Sequence, residues 1–320
     1  FFKQKTAYEI PKRDWSSDVC SSDLRPPCRH RGQTDMKNTI AFQGEPGAYS
    51  HLACRAAYPA MTALPCPTFE AAFAAVTASK AALAMIPIEN SVAGRVSDVH
   101  HMMPESGLFI VAEHFQPVRH CLLGPKGATR KRVRFVHSHV QALDQNRELI
   151  RRLGLKPIVE SDTAGSARMI AEKNDPAHAA IASELAAELN GLKILRPASS
   201  TVTRFLLLAR KMQKPPVPRG TGANGGRGSI LTTFVFTVRN VPAALYKVLG
   251  GFATNNVNLV KLESYMVGGN FAATQFYTDI EGHPDDPSVK LAFDELSFFT
   301  ATLNILGVYP AHPFRNEHRK

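Results

Sequence analysis

The chain has 320 residues, of which 44% are hydrophobic and 20% are charged, a balance typical of a globular protein of about two domains. This composition excludes a disordered or fibrous chain, and no apolar run approaches the roughly 18 residues that span a bilayer. The formal net charge of +11 favours an anionic partner. Because the basic residues fall in short loops without an aromatic platform, we rank nucleic acid below a small anionic substrate or a solvated basic face.

Cysteine usage gives no sign of a disulfide framework or a metal site. The five cysteines are odd in number and scattered: Cys20, Cys28, Cys54, Cys66 and Cys121. No Cys/His spacing suits zinc, so we expect reduced thiols and no metal. Residues 1–35 lack the apolar core of a secretory signal, and we therefore expect a cytoplasmic protein without a membrane partner.

The start of the chain differs from the rest. Residues 1–35 carry no sustained helical or strand period, and the first 24 resemble a translated sequencing adapter. We therefore treat residues 1–35 as a non-native or disordered extension and exclude them from fold reasoning.

Strands and helices alternate from residue 38 onward. The predicted elements are strands at 38–42, 82–88, 134–138, 156–161 and 179–183, and helices from about residue 50 and at 69–79, 139–154 and 162–174. Strands that alternate with helices predict a mainly parallel sheet with helices on both faces. Two such runs predict two lobes.

A second domain follows a change in composition. Residues 214–228 concentrate proline and glycine, which predicts a linker. The next predicted elements are a strand at 230–238, a helix at 241–256, strands at 259–266 and 271–280 joined across Gly268 and Gly269, a helix after Pro287 and a strand at 303–309. This βαββαβ order is typical of a small ferredoxin-like sandwich, here 229–312.

The first polar motif is FQGEPGAYSH at 42–51, between a predicted strand and a helix. Gly44 and Gly47 let backbone N–H groups approach a ligand, and Ser50 is a candidate helix cap whose positive end favours an anion. A purely structural turn explains the glycines equally well.

The second motif is PIENSVAGRV at 87–96, which follows a buried strand. Asn90 and Ser91 stand at the carboxyl end of that strand, where open α/β sheets present ligand groups. An amide and a hydroxyl bind a carboxylate or hydroxyl without adding charge. Glu89 needs a partner when buried, and Arg95 or backbone N–H groups are the candidates. The alternative is an Asn/Ser cap for the following helix.

The third motif is VHSHVQALDQ at 136–145. Ser138 and Gln141 form a capping-box pattern, which predicts Ser138 at a helix N-cap with Gln145 one turn beyond Gln141 on the same face. Simple capping accounts for Ser138 and Gln141 alone. His137 and His139 flank the cap, but their spacing fits no metal motif.

Two further motifs complete the set. In SDTAGSA (161–167), Asp162 is the predicted N-cap of a helix, with Thr163, Gly165 and Ser166 forming a donor-rich turn.

The last motif places Thr203 and Arg204 at the head of an apolar strand within residues 200–210. Arg204 is equally well a boundary residue or an anion ligand. Several donor-rich sites with few acids together predict a pocket for a small polyanion.

These motifs, in this order, resemble the prephenate dehydratases, from about residue 37 to residue 310. Members of that family remove water and carbon dioxide from prephenate to give phenylpyruvate, on the route to phenylalanine. The resemblance implies an α/β fold with a two-lobed, periplasmic-binding-protein-like catalytic domain at 36–213. It also implies a ferredoxin-like βαββαβ ACT regulatory domain at 229–312, which binds phenylalanine as a feedback signal.

The resemblance also assigns roles to residues. The implied catalytic residues are Asn90, Ser138, Gln145 and Thr203, with Thr203 donating to the departing hydroxyl. The implied substrate-binding residues are Ser91, Gly94, Thr163, Ala164, Gly165, Arg204 and Phe205, with Arg204 and helix-start amides holding carboxylates. The implied effector-binding residues are Ala243, Ala244, Leu245, Glu263 and Ser264.

This chain departs from the family pattern at three places. Ala243 stands where the family usually has glycine, which adds a methyl group, and Tyr265 stands where it has arginine, which removes a charge. Thr201 stands where the family often has asparagine, and no role is assigned to it.

The resemblance implies a monofunctional carbon–oxygen lyase without a cofactor, because residues 1–35 are too short for a chorismate mutase bundle. It also implies a homodimer or homotetramer that pairs across the ACT domain. Two alternatives stay open at this point. One is arogenate dehydratase, whose substrate carries an amino group in place of the keto group, and the other is a non-catalytic amino-acid-sensing binding protein.

Overall fold

The computed structural model describes residues 38–217, 229–239, 241–266 and 274–317. The predicted extension at 1–35, most of the predicted linker and the predicted turn at Gly268 and Gly269 lie outside the described residues. Residues 214–217 carry no regular secondary structure. Among the helices of the described ranges, none is both long and apolar enough to cross a membrane.

The first lobe is built on three parallel strands. Strand β1 pairs with both neighbours, and the strands are β1 (Thr39–Gln43), β2 (Thr62–Cys66) and β3 (Leu83–Asn90). Helices α1 (Tyr49–Ala57) and α2 (Phe69–Thr77) connect them. Strand β1 is almost continuously apolar because its alternate side chains enter two different cores. Ile40 and Phe42 lie in one core, and Ala41 lies in the other.

The second lobe repeats this plan. Its parallel strands are β6 (Phe135–Ser138), β7 (Lys156–Val159) and β8 (His178–Ala182). Its helices are α4 (Val140–Gln145), α5 (Arg147–Arg152), α6 (Thr163–Lys173) and α7 (Glu184–Asn190). The predicted α/β fold with two lobes is confirmed.

The single helix predicted at 139–154 is wrong, since α4 and α5 are separated at Asn146. The backbone of Asn146 has φ −110° and ψ 15°, outside helical values. Its side chain donates to the carbonyl of Ala142 (2.8 Å) and accepts from the N–H of Ser199 (2.8 Å). Asparagine favours such local bonds over helix continuation, and here the bond to Ser199 also ties the break to another strand.

Two long antiparallel strands run through both lobes. They are β5 (Phe109–Gly124) and β9 (Lys193–Ala209), preceded by the short β4 (Gly94–Arg95), α3 (Ser97–Met102) and a 3₁₀ helix (Met103–Glu105). One part of the strand pair borders β3 of the first lobe, and the other part borders β8 of the second. The lobes therefore share one continuous strand pair.

The C-terminal part has the predicted βαββαβ order. Its elements are β10 (Ile230–Val238), α8 (Ala244–Thr254), β11 (Leu259–Met266), β12 (Thr274–Glu281), α9 (Pro287–Phe299) and β13 (Thr300–Pro310), followed by α10 (Phe314–Glu317). The sheet order is β11-β12-β10-β13, and α8 and α9 cover the face that carries Phe234 and Phe236. Val235 and Tyr277 on the opposite face join the core of the first lobe.

A buried ionic network, centred on Arg204 of β9, joins the lobes to the C-terminal sheet. Arg204 is 2% exposed, and its Nε donates to Glu113 Oε2 (2.8 Å). Its Nη1 donates to Glu89 Oε1 (3.0 Å) and to Asp279 Oδ2 (2.7 Å), and its Nη2 donates to the Tyr309 hydroxyl (3.0 Å). Residues of three strands of the lobes and two strands of the C-terminal sheet thus meet around one guanidinium.

Two further cations complete the network. Arg315 binds Glu113 through Nε (2.7 Å) and Nη2 (2.9 Å), and Lys261 of β11 binds Glu89. The Glu89 carboxylate therefore forms ion pairs with Arg204 and Lys261, and not with Arg95, which was one of its two candidate partners. Three cations and three carboxylates balance, which is the condition for burying such charges.

The charges stay ionised despite burial. Burial opposes ionisation of Asp279, yet the Arg204 guanidinium and the Thr233 hydroxyl hold the pKa of that carboxyl below its usual range. Burial also opposes the charge on Arg204, but the neighbouring acids, Asp279 foremost, raise its pKa well above the ordinary value. Asp279 and Arg204 therefore act as a pair of opposite charges at neutral pH.

Replacing Arg204 with methionine is expected to lower the free energy of unfolding by about 3–5 kcal/mol, because Glu113 and Asp279 are left without their shared cation. Urea denaturation measures the change. The matched control is Arg147→Met, since Arg147 forms an exposed pair with Asp144 at 3.6 Å. A loss no larger than that of the control would contradict a stabilising role for the network.

Strand β13 meets β5 through Gly307, which pairs in parallel with Ile110. A Cβ atom at Gly307 would lie 2.3 Å from the carbonyl oxygen of Ile110. Glycine is therefore required by the close approach of two backbones.

Gly307→Ala is expected to lower the free energy of unfolding by about 1–3 kcal/mol through overpacking against Ile110. The control is Gly250→Ala in α8, where an added Cβ meets nothing within 4 Å. That control should gain about 0.5–1 kcal/mol, because alanine favours helix over glycine. Urea denaturation of both variants checks the pair, and equal stability of Gly307→Ala and the wild type would disprove the close approach.

Candidate active site

A cavity of about 540 Å³ lies between the two lobes. Its walls come from both lobes and from the long strands β5 and β9. Six of the lining side chains have polar groups that a ligand could contact: Tyr49, Asn90, Arg95, His120, Gln145 and Thr203. A volume of this size suits a small organic molecule.

Asn90 and Thr203 form the floor of the cavity because β3 and β9 pair antiparallel with these two residues opposite each other. Asn90 Nδ2 donates to Thr203 Oγ1 (2.9 Å) and to Thr201 Oγ1 (3.0 Å). Asn90 Oδ1 accepts from the N–H groups of Val92 (2.9 Å) and Ala93 (3.0 Å). The Thr203 oxygen thus accepts from Asn90, which leaves the hydroxyl proton available to a ligand.

A chain of three side chains crosses the cavity from lobe to lobe. The Tyr49 hydroxyl of α1 lies 2.8 Å from His120 Nδ1, and His120 Nε2 lies 3.1 Å from Gln145 Oε1 of α4. Burial lowers the pKa of His120, which the bond to Gln145 opposes. Burial also raises the pKa of Tyr49 well above its ordinary value. The chain is therefore uncharged at neutral pH and offers hydrogen bonds rather than charge.

Helix starts supply further donors. Asp162 caps α6 as predicted, with Oδ1 accepting from the N–H of Gly165 (2.7 Å), and Thr163 lines the cavity. Residues at the start of α1, including Ser50, also line it, although Ser50 does not cap that helix as expected. The starts of two helices of nine and eleven residues place positive dipole ends at the wall.

Ser138 does not reach the cavity. It ends β6, is fully buried, and donates from its hydroxyl to the carbonyl of Ile181 (2.6 Å). The N-cap of α4 is His139, whose Nδ1 accepts from the N–H of Gln141 (3.3 Å). The predicted capping box at Ser138 is wrong, because the helix begins one residue later and Ser138 remains in the strand.

The predicted substrate-binding residues divide into two groups. Thr163 and Phe205 line the cavity. Four others lie outside it: Ser91, Gly94, Ala164 and Gly165.

Three of those four have a local reason for their position. Ser91 Oγ accepts from the N–H of Val202 (3.0 Å) and clamps β9, while Ala164 is buried in the second lobe. Gly94 pairs with Asn90 at a φ of 79°, in the left-handed region.

The expectation that Arg204 holds a substrate carboxylate is wrong. Successive side chains of a strand point to opposite faces, so Thr203 and Phe205 face the cavity while Arg204 points away from it. All of its nitrogen atoms bond to the network described above. Thr203 also lies in the interior of β9 rather than at its head.

Sequence reasoning assigned no site role to three of the six lining residues named above: Tyr49, Arg95 and His120. Tyr49 lies inside FQGEPGAYSH, and Arg95 lies inside PIENSVAGRV, so both motifs marked the right segments. His120 is a lone histidine in a strand, and nothing in its local sequence distinguishes it.

The predicted effector residues lie on two faces of the C-terminal sheet. Ser264 pairs with Phe276, and Phe276 pairs with Phe236, so Ser264 shares the face covered by α8, whose start carries Ala244 and Leu245. Glu263 points to the opposite face and lies 3.3 Å from Lys261 Nζ.

Ala243 precedes α8 with φ 60° and ψ 20°, in the left-handed region. Glycine adopts this conformation more readily than alanine does, because it has no Cβ atom.

This chain is similar to known proteins in sequence and in structure. A family model described as prephenate dehydratase matches residues 40–213, which is 174 of 320 residues. A bifunctional N-acyl-homoserine lactone acylase/prephenate dehydratase of Komagataeibacter europaeus is 54% identical over 282 residues, covering 87% of this chain and 98% of that protein. The chloroplastic arogenate dehydratase/prephenate dehydratase 1 of Arabidopsis thaliana is 37% identical over 294 residues, covering 86% of this chain and 73% of that protein.

A solved structure agrees. The prephenate dehydratase of Arthrobacter aurescens, in complex with L-Phe, matches with a TM-score of 0.75 at 28% identity, covering 88% of this chain and 97% of that one. A family match over more than half of the chain, and relatives 54% and 37% identical that are matched over more than two thirds of their own length, show that this chain belongs to the prephenate dehydratase family.

Proposed function

We propose that this protein is a cytoplasmic prephenate dehydratase that converts prephenate to phenylpyruvate. The observation that carries the proposal is the convergence of Asn90, Gln145 and Thr203, from both lobes and the strands between them, on one cavity.

The chemistry of prephenate fits this cavity. Its C4 hydroxyl leaves as water after accepting one proton, while its C1 carboxylate leaves as carbon dioxide, and the electrons of the broken C–C bond enter the ring. Aromatisation supplies the driving force. The protein therefore has to orient a dianion and donate to the departing hydroxyl, and neutral donors and helix starts suit both tasks.

Thr203 is the group we assign to the departing hydroxyl. Its oxygen accepts from Asn90 Nδ2 at 2.9 Å, and a hydroxyl that accepts a hydrogen bond becomes a better donor. Threonine is a weak acid, so its contribution is a directed hydrogen bond to the leaving group, with Asn90 fixing the position of the oxygen.

Thr203→Val is expected to lower kcat about 10²- to 10⁴-fold, because the donor to the leaving hydroxyl is lost. Thr203→Ser keeps the hydroxyl and should retain most of the turnover. The appearance of phenylpyruvate is followed by ultraviolet absorbance, and thermal melts confirm that both variants fold. Near-normal turnover by Thr203→Val would remove Thr203 from the mechanism.

We also assign the C-terminal part as an ACT domain that binds L-phenylalanine and regulates turnover. Its βαββαβ order supports this, as does the relative solved in complex with L-Phe. Large apolar side chains are exposed there: Tyr246, Leu262, Met266, Leu291 and Phe298. Such exposure supports pairing of copies across this part, in a homodimer or homotetramer.

A second candidate function is hydrolysis of N-acyl-homoserine lactones, since the 54% identical relative is named for both activities. If this chain shares that activity, the purified protein releases homoserine lactone from an N-acyl derivative, and prephenate inhibits the release competitively when both use the cavity between the lobes. Mass spectrometry of the products checks this. No release under conditions that give phenylpyruvate from prephenate would eliminate the second function and leave the first.

The Arabidopsis relative is named for both arogenate and prephenate. The two substrates differ in net charge, because arogenate carries an ammonium group where prephenate carries a keto group. Discrimination between them therefore depends on the charged side chains at the cavity wall.

A further inference from the structure

Arg95 is the cationic side chain at the cavity wall in the part of the chain that the structure describes. The acids at the wall are Asp98 and Asp162, and Asp162 is engaged in capping α6. Apart from the histidines His120 and His139, the wall carries one positive and two negative side chains. A dianionic substrate therefore depends on Arg95 for side-chain charge compensation.

The guanidinium of Arg95 has N–H donors that are available to a ligand. Its Nη1 donates to the carbonyl of Ser264 (2.8 Å) and lies 3.7 Å from Glu263 Oε2. Its Nε and Nη2 make no hydrogen bond to a described residue, and the side chain is 38% exposed. The free edge of a guanidinium matches the two oxygens of a carboxylate.

The position of Arg95 is set by two separate parts of the chain. Strand β4 places it opposite Glu89, next to the Asn90–Gly94 pair. Strand β11 of the C-terminal sheet holds its Nη1 through the Ser264 carbonyl and the Glu263 carboxylate. A side chain that lines the cavity is thus held by the strand that carries predicted effector residues.

We propose that Arg95 binds a substrate carboxylate, selects for a dianionic substrate, and is positioned by β11. This inference rests on the proposed function and deepens it. Prephenate carries two negative charges and arogenate one net negative charge, so Arg95 favours prephenate. Because β11 belongs to the C-terminal sheet, a shift of that strand changes substrate affinity through Arg95.

Arg95→Gln is expected to raise the KM for prephenate about 10- to 100-fold, the effect of losing a hydrogen-bonded charge. The kcat should change little, because the leaving hydroxyl is assigned to Thr203, which Asn90 positions, and not to Arg95. Arg95→Lys keeps the charge but loses the two-pronged guanidinium. Its KM for prephenate should lie between those of the wild type and Arg95→Gln. The KM for arogenate should rise less than the KM for prephenate.

Arg147→Gln is the matched control, since it removes the same charge from an arginine that is 80% exposed and does not line the cavity. Its KM should equal that of the wild type. Glu263→Gln tests the link to β11: removing the carboxylate that helps to hold Arg95 Nη1 should raise the KM for prephenate severalfold with little change in kcat.

Calorimetric titration of prephenate into Thr203→Val, with and without Arg95→Gln, measures binding apart from turnover. A weaker Kd in the double variant supports the proposal even if turnover proves to be slow. Equal Kd values, or an unchanged KM in Arg95→Gln, would overturn it. Absence of phenylpyruvate with the wild type, together with an Arg95-dependent Kd, would instead overturn the proposed function and leave Arg95 as an anion ligand.

Discussion

The antiparallel pairing of β9 with β3 is the constraint on which the site depends. This pairing sets Asn90 opposite Thr203, so the amide of one strand holds the hydroxyl of the next. Strand alternation then directs Thr203 and Phe205 into the cavity and Arg204 away from it. A shift of one residue would exchange these faces and place a cation where the hydroxyl now lies.

The same alternation joins the candidate catalytic centre to the C-terminal sheet. Arg204 follows Thr203 directly, and it binds acids of both parts, Glu113 and Asp279. A buried arginine is tolerated because three carboxylates and a phenol satisfy its donors. The ion pairs of Arg204 therefore hold the backbone next to Thr203 on the side away from the cavity. Arg95 provides a second link, from β11 to the cavity wall.

Much of the fold and part of the site follow from local sequence. The βαββαβ order and the two runs of alternating strands and helices are confirmed, and Asp162 caps α6 as predicted. The predictions from local sequence are wrong where contacts with distant residues override a local pattern. Ser138 fits a capping box, but its hydroxyl binds the carbonyl of Ile181 instead, and Asn146 breaks a predicted helix while binding Ser199.

The sequence by itself determined the family, most of the element types and most of the segments that line the cavity, because periodicity, capping residues and motif order are properties of neighbouring residues. Only the tertiary structure decided which side chains of those segments face the cavity. Arg204 and Glu113 are 91 residues apart in the chain, and Arg95 and Ser264 are 169 apart. Such contacts are set by strand register and by packing between distant elements, which no local pattern encodes.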